Sequence, residues 1–147
     1  MARIIAIDFG EKRTGIAVTD TLQIIANSLT TIDTQIIHEF LDDYCAKEQV
    51  EKVVIGYPKT LRNEPAVVTT KIDKFLDIFT NKHPEIEIIK FDERFTSKMA
   101  FQTMIDSGIG RKARRNKALI DQISATIILQ SYLESTKYNS ITSQNIL

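Results

Sequence analysis

The sequence predicts an α/β domain: a mixed five-stranded sheet with helices on both faces. Three observations lead there. Residues 3–32 read as three strands with short connections, able to form an antiparallel meander. Two further apolar strand runs then alternate with amphipathic helix patterns, the signature of βαβ units that add parallel strands. The last strong pattern, "ALIDQISATIILQSYL", is apolar on nearly every side and must be covered.

"RIIAIDFG" is β-branched and apolar up to Asp8 and breaks at Gly10, which makes it a central strand. "EKR" is a tight connection, with Gly10 supplying permissive backbone, into "TGIAVTD", which alternates like a strand. Asp20 ends that strand as a turn residue, and "LQIIANSLTTI" is the third. From Thr34, the spacing of Ile37, Phe40, Leu41, Tyr44 and Cys45 predicts a helix. "KVVIGYP" is a buried strand closed by Pro58. Val68, Ile72, Phe75, Leu76 and Phe79 define a second amphipathic helix, and "EIEIIKF" a fifth strand. Thr96 or Ser97 can cap a short helix ending near Gly108, and "GRKARRNK" is a basic loop before the apolar helix. Residues 1–134 are expected to form one domain and the polar stretch 135–147 a flexible tail.

Composition narrows the function classes. With 147 residues, 43% hydrophobic, the chain can bury a core. Its 19 basic and 19 acidic residues balance, so any affinity for polyanions must come from local clusters. A lone cysteine, Cys45, fits a reducing compartment; no run suits a membrane span and no signal-peptide pattern opens the chain, which predicts a cytoplasmic protein without a membrane partner.

Carboxylates stand where such folds place ligands, beyond the carboxyl ends of strands. Asp8 closes the first strand, Asp92 and Glu93 close the last, and Asp121 lies in an otherwise apolar helix. A lone Asp at a strand end is commonly a turn or cap residue, but three acids converging on one edge form an all-oxygen site suited to Mg²⁺ or Mn²⁺. Two such ions suit phosphodiester hydrolysis. Arg111, Lys112, Arg114, Arg115 and Lys117 form a local cationic excess just before Asp121, a candidate phosphate contact that Lys59, Arg62, Lys12 and Arg13 could extend. The competing explanation is an ordinary solvated basic loop. Arg94 can orient Glu93, hold phosphate or pair with Asp92. His38 and His83 lack paired ligand spacing, and Cys45 falls on its helix's apolar stripe.

"IAIDFGEKRTGIAVTD", "VVIGYPKTL", "FDERFTSKMA" and "DQISATIILQSYL", in this order, resemble the YqgF family, also called RuvX, over residues 3–133. The resemblance implies an RNase H-like (ribonuclease H-like) fold and assigns the catalytic and metal-holding acids to Asp8, Glu93 and Asp121, with Asp8 shared between two ions once substrate is bound. It implies a bacterial cytoplasmic nuclease processing the 5′ end of precursor 16S ribosomal RNA, acting on free RNA or a ribosomal precursor particle. The alternatives are a Holliday junction resolvase cutting four-way DNA, which would favour a homodimer over a monomer, and a non-catalytic RNA-binding module. The chain departs from the family pattern at "RNEPA", where a loop glycine is usual. It also departs at Ser124–Ala125, where the family tends to have paired alanines; Ser124, one turn from Asp121, stands where related junction resolvases often place a further acid.

Overall fold

The structure, a computed structural model, describes residues 2–58, 67–92 and 123–136. Strands β1 (Arg3–Asp8), β2 (Arg13–Thr19) and β3 (Ala26–Asp33) come first. A short 3-10 turn (Thr34–Ile36) leads into helix α1 (Ile37–Lys47), then β4 (Val50–Tyr57), α2 (Val67–Lys82) and β5 (Glu87–Asp92). A third helix, α3, is described over 123–136.

The sheet runs in the order β3-β2-β1-β4-β5. β1 pairs antiparallel with β2 and β2 with β3, whereas β1–β4 and β4–β5 are parallel. The N-terminal strand thus occupies the centre, and its four successive buried residues, Ile4–Ile7, reflect cover on both faces. Odd residues Ile5 and Ile7 meet α1 and α2 through Leu41, Ile72, Phe75 and Phe79. Even residues Ile4 and Ala6 meet α3 through Ala125, Ile128 and Leu129. This is the expected five-stranded mixed sheet between helices, the RNase H-like architecture.

The third strand starts later than its apolar letters suggest. Leu22, Ile24 and Ile25 are exposed, and pairing with β2 begins at Ala26. Asp20 is the cause: its carboxylate accepts the N–H groups of Leu22 (3.0 Å), Ile24 (2.9 Å) and Ile25 (2.8 Å). Those bonds, led by Ile25, hold its pKa below the ordinary value, and Gln23 turns the chain at φ 58°. Asp20 is a turn residue, as its position implied. The helix expected from Thr34 begins at Ile37, because the 3-10 turn takes up Thr34–Ile36. The short helix ending near Gly108 and the tail beyond 136 lie outside the described residues; α3 itself runs through 136.

Two α1 side chains give direct tests. Cys45 packs against the α1/α2 core, and burial pushes its thiol up to about 11. Its alkylation by iodoacetamide at pH 8 is expected to run roughly 100-fold slower than that of a free cysteine. Intact-mass kinetics would check this, and a rate near the free thiol's would contradict the burial. His38 lies 5.1 Å from the Phe75 ring, and burial, aided by the Lys82 charge, lowers its pKa against the opposing pull of Asp42. The unfolded chain therefore binds more protons below about pH 6.5 than the folded one. The His38 contribution to stability is intact above that pH and declines as pH falls through the window. The urea midpoint should drop between pH 7.5 and 5.5, and drop less in His38→Phe; equal drops would exonerate His38.

Candidate active site

Parallel pairing brings the carboxyl ends of β1, β4 and β5 to one edge of the sheet. The registers Ile7↔Ile55, Gly56↔Phe91 and Tyr57↔Asp92 set Asp8, Tyr57 and Asp92 along it. β2 returns antiparallel with Asp8 opposite Gly15, so the turn carrying Lys12 lies at the same edge.

The face on which Asp8 stands follows from its neighbours. Ile7 and Phe9 both pack on the α1/α2 side, Phe9 with its ring centroid 5.7 Å from that of Phe75. Strand alternation then places Asp8 on the α3 side with Ile4 and Ala6. On β5, Ile88 packs on the α2 side and Lys90 bonds to Asp73 of α2, so Asp92 shares that side, away from Asp8. Of the acids that close β5 in the sequence, Asp92 is thereby on the wrong face to join Asp8.

The turn beyond Asp8 is held from behind. A Cβ at Gly10 would come 2.2 Å from the Arg13 carbonyl oxygen, so only glycine fits. The Thr34 hydroxyl donates to the Gly10 carbonyl (2.7 Å), which leaves Thr14 to donate to Thr34 Oγ1 (2.8 Å). The Thr34 N–H meets the Lys12 carbonyl (3.0 Å). Thr14 is fully buried and Thr34 half-buried, so these bonds are partly shielded from water and fix the turn against the start of the 3-10 segment. This brace was not visible in the sequence. Its members are 20 or more residues apart, and isolated threonines carry no signal.

Of the residues expected to form the site, the described structure brings together Asp8, Lys12 and Arg13. Lys12 is exposed and Arg13 half-buried. Glu93, Asp121, Arg94, Lys59, Arg62, Arg111, Lys112, Arg114, Arg115 and Lys117 lie outside the described residues, as does the "RNEPA" departure. Among the described residues no group of three or more His, Cys, Asp or Glu could hold a metal, so the test of fit rests on donor chemistry. Asp8 offers hard carboxylate oxygen at the edge, a donor that fits a divalent cation. Ser124 lies in α3, half-buried, next to Ala125, which is fully buried against the sheet. A surface groove between α2 and β5, lined by Asp73, Leu76 and Lys90 among others, lies on the other face from Asp8 and is separate from this site. No helix among the described residues is long and apolar enough to cross a membrane.

Comparison with known proteins gives a consistent result. The chain is 56% identical over 138 residues to a protein of Flavobacterium johnsoniae named "Putative pre-16S rRNA nuclease", covering 94% of this chain and all of that one. Proteins of the same name from Flavobacterium psychrophilum and Bacteroides thetaiotaomicron are 60% and 51% identical, covering 90% and 94% of this chain. They are matched over 97% and 100% of their own lengths. The sequence model described as RuvX, Holliday junction resolvase, matches residues 2–135. With its central-strand aspartate, its mixed sheet and this end-to-end similarity, the chain belongs to the RuvX family.

Proposed function

We propose that this chain is a divalent-metal-dependent endonuclease that processes the 5′ end of precursor 16S ribosomal RNA in the cytoplasm. The observation that carries the reading is Asp8: a carboxylate at the carboxyl end of the central strand, on the α3 face, beside a braced turn bearing Lys12 and Arg13. The near-complete overlap with relatives named for this activity supports the substrate.

In this reading Asp8, Glu93 and Asp121 would hold Mg²⁺ or Mn²⁺, two ions once RNA is bound, which supply charge stabilisation and an acidified water for hydrolysis. The chain's own residues do the rest. In sequence, Glu93 directly follows Asp92, the last residue of β5, and Asp121 stands two residues before Ile123, the first described residue of α3. Lys12 and Arg13, with Lys59, Arg62, Arg94 and the cluster Arg111, Lys112, Arg114, Arg115 and Lys117, take the phosphates. Their charge provides affinity without sequence readout.

The test is cleavage of an end-labelled precursor 16S 5′-leader RNA and a four-way DNA junction, side by side, with Mg²⁺ or Mn²⁺. RNA cleavage at one end by a monomer is the expected result. Paired cuts in the junction alone, with a dimer in sedimentation, would replace it with the resolvase reading that the family description carries. Binding without cleavage of either would leave an RNA-binding module.

A further inference from the structure

The end of β4 is tied to α2 and β5 by a polar constellation on the face opposite to Asp8. The Tyr57 hydroxyl reaches both carboxylate oxygens of Asp73 at 3.1 Å. Lys90 donates to Asp73 Oδ1 at 3.4 Å and stands 4.7 Å over the Tyr57 ring. One carboxylate thus joins α2 to two adjacent strands through a phenol and an ammonium. The phenol pKa is raised, first by burial and then by the Asp73 bond and charge, so the hydroxyl stays a donor.

The placement gives the constellation its meaning. Tyr57 is the last residue of β4 and precedes Pro58 and the stretch carrying Lys59 and Arg62. It pairs in register with Asp92, the residue before Glu93, and Lys90 lies two residues earlier on the same strand. The side chains of Tyr57 and Lys90 both turn to α2, so they do not share Asp8's face. Asp73 and Lys90 are about half exposed, so their ion pair adds little to global stability. A costly buried network would be harder to separate from folding.

We propose that Tyr57, with Asp73 and Lys90, is a positioning residue for the active edge, fixing from behind the ends of β4 and β5 that lie along it with Asp8. It does not contact the reacting phosphate. The proposal deepens the nuclease reading and rests on it for its catalytic half. A misplacement of about 1 Å at such an edge costs up to about 10²-fold in rate.

The test compares wild type, Tyr57→Phe, Asp73→Asn and the double variant in RNA cleavage, thermal unfolding and amide hydrogen exchange. Tyr57→Phe removes one oxygen and keeps the ring, so it should unfold within about 3 °C of wild type. Its kcat is expected to fall roughly 10-fold, with KM for RNA within about twofold, and the amides of 56–57 and 90–92 should exchange several-fold faster. The double variant should lose no more than Asp73→Asn alone, because the two groups act as one unit. Wild-type kcat and wild-type exchange in Tyr57→Phe would overturn the proposal; so would a tenfold rise in KM alone, which would make Tyr57 a substrate contact. If wild type itself cleaves no RNA, the nuclease reading fails, while the exchange data still decide whether Tyr57 fixes the strand ends.

Discussion

Asp8→Asn is expected to fold normally and to lose RNA cleavage by on the order of 10³-fold in kcat. Stabilising developing charge at a divalent-metal centre is worth several kcal/mol, and each 1.36 kcal/mol is a factor of ten. The substitution keeps the shape of a residue at a strand end, and the β1 hydrogen bonds to β2 and β4 remain available. Thermal unfolding separates this from damage to the fold. Without metal the variant should unfold close to wild type, since the side chain keeps its size and shape. The rise in Tm that saturating Mg²⁺ or Mn²⁺ gives wild type should shrink or vanish, because ligands stabilise only by binding the folded state. A variant that cleaves at more than about a tenth of the wild-type rate would remove Asp8 from the chemistry.

The largest stability effect is expected from Gly10→Ala. The new Cβ would sit 2.2 Å from a backbone oxygen, that of Arg13, and backbone cannot rotate away as a side chain can. Either the turn opens or the start of β2 shifts, and the Thr34–Gly10 bond is strained in both cases. A loss of about 3 kcal/mol follows, a Tm lower by roughly 10 °C for a domain of this size. Cleavage measured well below that Tm should also drop, because Asp8 lies two residues away. Thermal circular dichroism decides the first part, and a Tm within about 2 °C of wild type would show that the turn accommodates the methyl.

Much of the fold was legible in the sequence because burial on both faces leaves a simple mark. Ile4–Ile7 and Val53–Ile55 read as unbroken apolar runs, and they are the centre of the sheet. The start of β3 was not legible: Leu22, Ile24 and Ile25 look like strand, yet the backbone bonds to Asp20 outweigh their β propensity. Asp8 could be found as a strand-end carboxylate, and the turn basics Lys12 and Arg13 by their place beside it. The supports of the edge could not. Thr14–Thr34 and Tyr57–Asp73–Lys90 are polar contacts across 16 to 20 residues, and no local periodicity foretells them.

The central position of β1 has a consequence for how the protein is made. Its partner β2 follows after a four-residue turn, so that hairpin can close within microseconds of leaving the ribosome. Its other partner, β4, ends at Tyr57, and at about 5–20 residues per second the chain needs seconds more to deliver it. In that interval the nascent chain carries an apolar strand with one open flank, a template for association with another chain. The translation speed of residues 34–57 therefore bears on yield, and pausing there should favour aggregation over assembly of the sheet.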